Sequence, residues 1–442
     1  MTQVRDRRGC REHDSRSAWG RNPYLKLLRI PGALAFSSAG FVGRMSMSMY
    51  GLGTVLLIAL LTGRYGQAGT VAAAGSVGYA VLSPIVATRA DRLGQRPVLL
   101  VQTAVFAISS AVFISCAELK APFWMLVVTG LLAGASMPSL GSMVRARWST
   151  LADGDAKLLH TSFALESVND EFIFVIGPAL VTLLATQLFP ASGIGTACLL
   201  CVVGTSLFAA QRRTEPRVSP GPQRARRPRI SRPTPPAAGL LTLAPAFLLL
   251  GAMFSGLDLS TVAFSTELGH RPLAGLIIAT YAFGSAVGGL WYGSRHWRAP
   301  LGRRFVIAAA LTVAGVSTFW AVPGLMVLAA VGFTAGLAIS PMIMTGYAIL
   351  ERQAPPHRRT EAMAWLSSTI SVGVAVGSAF SGHIIDARGA RWSFAFAASC
   401  GAIAVLTCLV GRHKLRTQED TQPAELSAAT QPTDPQEGLH HD

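Results

Sequence analysis

Three carboxylates, Glu166, Asp170 and Glu171, stand inside an apolar run at 162–187, and one guanidinium, Arg44, stands inside another at 33–61. An ionised side chain at the centre of a bilayer costs about 3 kcal/mol or more on insertion scales, so such groups face a cavity, pair with each other or exchange a proton. The rise per helical residue puts Arg44 and Asp170 at similar depth, toward the middle of their runs. Glu166 lies four residues before Asp170 and shares its helical face, whereas Glu171 points more than a quarter-turn away. Asp258 sits in a third apolar run, nearer the opposite end, where it could line a cavity or reach water. Glu361 follows Thr360 at the start of another run, which favours a helix-capping role.

Other chemistry is poorly represented. The six cysteines fall at 10, 116, 198, 201, 400 and 408, and Cys198 and Cys201 form a C-x-x-C within an apolar helix with no further ligand at metal spacing, so packing is the expected role. No phosphate-binding G-x-x-x-x-G-K-[ST] loop occurs, and no nucleophile, base and orienting group stand at recognisable spacing. An enzyme is therefore not expected, nor a metal or a cofactor. Met45, Met47, Met49 and Tyr50 crowd the first run with adaptable side chains, of which at most two methionines share one helical face.

The elements that hold these groups are membrane spans. The 442 residues are 51% hydrophobic and only 14% charged, too little charge for a soluble surface. Runs long enough to cross a bilayer number twelve, at 33–61, 68–88, 97–117, 122–144, 162–187, 193–211, 240–266, 273–293, 304–321, 324–350, 362–385 and 392–411. The formal charge of +16 is topological. Of 38 Lys and Arg, 32 fall in the segments on one side, five on the other, and one, Arg44, within a span. The positive-inside rule then places both termini and the long central loop in the cytoplasm of a multi-pass plasma-membrane protein, and nucleic acid is not an expected partner. The Arg-rich first thirty residues do not resemble a cleavable signal peptide.

The chain divides into a cytoplasmic tail (1–32), a six-helix bundle (33–211), a basic, Pro-rich linker (212–239), a second six-helix bundle (240–411) and a polar tail (412–442) expected to be disordered. The halves repeat at an offset near 200. Gly130, Gly134 and Pro138 of span four answer Gly332, Gly336 and Pro341 of span ten. Gly177-Pro178-Ala179-Leu180 of span five answers Gly377-Ser378-Ala379-Phe380 of span eleven, and Gly94-Gln95-Arg96 after span two answers Gly302-Arg303-Arg304 after span eight. Such parallel halves are built to rock about a central cavity.

Between spans two and three runs Ala87-Thr88-Arg89-Ala90-Asp91-Arg92-Leu93-Gly94-Gln95-Arg96, a charged turn that resembles the loop signature of the major facilitator superfamily, G-x-L-A-D-R-x-G-R-R. Asp91, Arg92, Gly94 and Arg96 match the signature, while Ala87 and Arg89 depart from it. The resemblance implies an all-α fold of twelve transmembrane helices in two pseudo-symmetric halves. It also implies a cytoplasmic latch in which Asp91 faces the start of span eleven, near Thr360 to Met363 and Glu361, and Arg145 or Arg147 at the end of span four. A solvated topogenic turn is the plainer reading of the same residues. In this superfamily spans one and five are neighbours, so an ion pair or hydrogen-bonded network is expected to join Arg44 to Asp170 or Glu171. That network would serve proton or substrate coupling or, alternatively, lock the bundle.

Gly177-Pro178 resembles part of the span-five signature of proton-coupled drug exporters, and Gly-Pro lets a span bend and pack closely. The exporters' span-four signature is absent, its place held by Leu126-Val127-Val128-Thr129-Gly130. The expectation is a monomeric efflux antiporter of the plasma membrane that carries a small apolar or amphipathic molecule by alternating access, in exchange for protons. Uptake of a polar nutrient is one alternative and a non-transporting scaffold or sensor is another.

Overall fold

In a computed structural model the described residues are 27–152, 155–216, 239–295, 297, 299–353 and 359–415. Twelve helical spans are long and apolar enough to cross a membrane: Ala33–Thr62, Tyr65–Ala87, Gln95–Glu118, Phe123–Ala152, Thr161–Gln187, Ser192–Ala210, Leu240–Glu267, Arg271–Gly293, Leu301–Ala321, Leu325–Gln353, Leu366–Arg388 and Ala390–Val410. They are numbered one to twelve below. Val101, Val105, Ile108 and Val112 of span three form an exposed stripe at spacings of four, three and four, an arrangement that lipid covers and water would not tolerate.

Spans one to six pack among themselves, as do seven to twelve, and the two halves meet where span two lies against span eleven and span five against span eight. The repeat read from the sequence has a packing basis. A Cβ on Gly134 would strike the backbone of Gly75, joining spans four and two, and one on Gly336 would strike the backbone of Tyr281, joining spans ten and eight. Spans four and ten are also interrupted alike. Span four breaks between helices Phe123–Ser136 and Leu140–Ala152, where Met137 is extended ahead of Pro138, a residue that disfavours α geometry in its predecessor. Span ten breaks between Leu325–Gly336 and Ile339–Gln353, with Pro341 in the first turn of the second helix, where its missing N–H costs nothing.

The charged segment after span two is not a turn of several residues. One helix runs Tyr65–Leu93 and the next starts at Gln95. Gly94 alone makes the connection, at φ 93° and ψ 154°, a conformation that side-chain-bearing residues rarely adopt. The start of span one, the ends of spans six and twelve and the start of span seven lie on one face of the bundle, called here the linker face because residues 212–239 connect spans six and seven there. The opposite, far face carries the turns after spans one, three, five, seven, nine and eleven.

Candidate functional site

Ser37 and Arg44 lie two turns apart in span one, Arg145 and Trp148 one turn apart in the second helix of span four, and Glu166, Asn169 and Asp170 within one turn of span five. Helical spacing therefore presents each group as a single patch. Spans one, four and five bring the three patches together. Arg44 Nη1 donates to Asp170 Oδ1 at 2.7 Å, and its Nη2 is bonded to Glu166 Oε2. Arg145 Nη2 donates to Asp170 Oδ2 at 2.7 Å. Ser37 Oγ and Trp148 Nε1 both donate to Glu166 Oε1, at 2.7 and 2.8 Å, and Asn169 Nδ2 approaches Glu166 Oε2 at 3.4 Å. Arg44 Nε adds a bond to the carbonyl of Gly40 at 3.2 Å.

Two cations and two anions balance, so the cluster adds no net charge to the bilayer interior. Its members differ in access. Glu166 is 0% and Arg44 2% exposed, whereas Asp170 is 22% and Arg145 41% exposed. The inner pair is thus sealed, and the outer pair is accessible. Charge-assisted bonds to guanidinium are strong, and a buried arginine whose partner is removed keeps its desolvation cost without compensation.

The remaining sequence-predicted residues go elsewhere. Glu171 does not bond Arg44; its Oε1 accepts from Ser340 Oγ of span ten at 3.2 Å, so it faces the other half. Asp258 accepts from the hydroxyl of Tyr281, linking spans seven and eight. Protonating Glu171 or Asp258 would break no ion pair shown among the described residues, whereas Asp170 holds two. Arg145, one of the two arginines expected near Asp91, reaches Asp170. Arg147 was the other expected latch arginine; it is fully buried, bonding Gln95 Oε1 at 3.0 Å and the Gln211 carbonyl at 2.8 Å with its guanidinium 3.7 Å above the Phe208 ring. It ties the ends of spans three, four and six together. The side chains of Asp91, Arg92 and Glu361, like those of Thr360 to Met363, lie outside the described residues. Gly94 is the single-residue connection, and the Arg96 backbone N–H donates to Glu215 Oε1 at 2.8 Å.

Gly177-Pro178 was expected to let span five bend and pack closely. The helix Ala156–Gln187 continues through it, and the pair lets neighbours approach. A Cβ on Gly177 would strike Ser48 Oγ of span one, and the Pro178 carbonyl packs on Gly275 of span eight, across the two halves. Of the methionines, Met45 and Met49 are core while Met47 is 40% exposed. Sequence reasoning missed Ser37, Trp148 and Asn169; Ser37 seven before Arg44 was a usable signal, but nothing local announces which face of span four Trp148 shares with span five.

A twelve-helix membrane protein made of two like halves, with a charge-balanced polar cluster inside its first bundle, is built as a carrier of small molecules. The chain belongs to the major facilitator superfamily, whose description, Major Facilitator Superfamily, matches residues 36–294 and 243–437. It is a transporter and not an enzyme. None of the curated proteins matches it in sequence. Among solved structures it is similar to a variant of the nucleoside transporter NupG (14% identity, 86% of this chain and 99% of that one, TM-score 0.68) and to an auto-inhibited POT family peptide transporter (15% identity, 92% and 97%, TM-score 0.61). It is also similar to the human organic anion transporter MFSD10, TETRAN (18% identity, 85% and 99%, TM-score 0.59). At these identities the likeness is one of fold.

Proposed function

We propose that the chain is a plasma-membrane exporter of a small apolar or amphipathic molecule, working as a monomer by alternating access in exchange for protons, with its linker face in the cytoplasm. The observation that carries the reading is the graded cluster of Arg44, Glu166, Asp170 and Arg145: sealed at Glu166, open at Asp170. A carboxylate held between two guanidiniums and still reachable can exchange one partner for a proton or for a cationic part of a substrate, and the freed arginine then repartitions its bonds. Glu171, bonded among the described residues to a neutral hydroxyl across the halves, is a second group whose protonation bears on how the halves fit. The apolar side chain of Met47, exposed one turn beyond Arg44, suits an amphipathic cargo.

The test uses proteoliposomes loaded with a pH-reporting dye and presented with a panel of apolar, amphipathic and polar compounds. Proton movement upon addition of amphipathic compounds, reduced in Asp170→Asn and Arg44→Ala, is expected. Response to polar compounds alone, in the direction of symport, would replace export with nutrient uptake, and transport indifferent to a pH gradient would remove proton coupling.

A further inference from the structure

Hydrogen bonds of Tyr65, Gly66 and Thr70 with Thr266, His383 and Asp386 join the two halves at the far face, and one between Ser340 and Glu171 joins them deeper in the bundle. The densest part is built on Asp386, near the end of span eleven. Its Oδ1 accepts from the Tyr65 N–H and its Oδ2 from the Gly66 N–H, both at 2.7 Å. These are the first amides of span two, which have no carbonyl partner within their own helix and carry the positive end of its dipole. The residue in the capping position, Arg64, makes no side-chain cap. The cap of span two is therefore supplied by the other half of the molecule.

We propose that Asp386 is a far-face latch: a carboxylate of the second half that caps a helix of the first and holds that face shut, and whose release opens the carrier to that side. Neighbouring contacts share the task. The Tyr65 hydroxyl donates to Thr266 Oγ1 of span seven at 3.0 Å, and His383 Nε2 stands 3.5 Å from Thr70 Oγ1. Close approach is what brings Asp386 within reach: a Cβ on Gly69 would strike the Ser378 carbonyl, and one on Gly382 the carbonyl of Tyr65. The latch is reversible because Asp386 is exposed and water can replace both bonds once the halves part. The inference rests on the two-half carrier and is independent of the cargo, direction or coupling of transport.

The test measures distances between spin labels, with the six native cysteines replaced. Leu119→Cys, exposed after span three, and Gly324→Cys, whose position has open space around it, report the far face; Leu93→Cys and Arg412→Cys report the linker face. With Asp386 in place the far-face pair should populate mainly the short distance. Asp386→Ala should raise the ratio of long to short distances about tenfold, the scale of one lost helix cap, with the linker-face pair moving the opposite way. Asp386→Asn, which keeps one acceptor oxygen, should fall between, and Tyr65→Phe should give a smaller shift. Should the alanine variant not fold, the other two decide. Unchanged far-face distances in monodisperse Asp386→Asn and Tyr65→Phe proteins, or in a folded alanine variant, would overturn the latch, whatever the transport assays report.

Discussion

Arg44 and Glu166 are sealed while Asp170 and Arg145 are not, and that difference separates what their replacement does. Glu166→Gln removes the charge that compensates a buried guanidinium, and should cost about 3 kcal/mol or more of stability, read as a lowered unfolding temperature in detergent. Asp170→Asn leaves Arg44 its second carboxylate and leaves Arg145 to solvent, so its unfolding temperature should fall much less. A parallel contrast holds between the span-four arginines. Arg147→Ala should destabilise by about 2–4 kcal/mol, because it strips Gln95 and Gln211 of a charged donor in a closed site, without altering ion-coupled flux in the protein that folds. Arg145→Ala should do the reverse. The sequence made the buried charges of spans one and five conspicuous through their cost. It did not tell Arg145 from Arg147, since residues two apart on a helix point to different neighbours and only packing decides which meets a carboxylate.

Spans four and ten owe their place to small residues, which is why the repeat was readable in their spacing: glycines four apart mark a face where another backbone must come close. Gly134→Val should abolish correct assembly, because its new side chain would occupy the backbone of Gly75. Gly51→Ala should be tolerated or slightly stabilising, as nothing stands within 4 Å of the position. Yield of monodisperse protein distinguishes the two. Gly177-Pro178 shows the limit of such reading. The same two residues could bend a span or admit its neighbours, and the close approach of Ser48 and Gly275 shows that they do the second. The segment at 90–97 erred similarly: its charges suggested a loop, while helix continuity up to Leu93 and a single positive φ at Gly94 compress it to one residue.

Across the whole molecule, the twelve spans and two halves were legible because lipid demands long apolar helices and because charge was sorted between alternate segments. The proposed orientation rests on that sorting: a reporter active only in the cytoplasm should work when fused after residue 442 and fail when inserted after Leu119, and the opposite pattern would invert the topology. The conformer was not legible, since it depends on which end of the interface closes, and Asp386 carries no sequence mark. The central claim is that the cluster on spans one, four and five couples cargo to protons and does not merely brace the bundle. It is tested most directly by comparing gradient-driven transport with exchange at equilibrium in reconstituted Asp170→Asn, for whichever panel compound the wild-type protein carries. The account predicts that exchange persists while accumulation driven by a pH gradient is lost; accumulation at the wild-type level would contradict it.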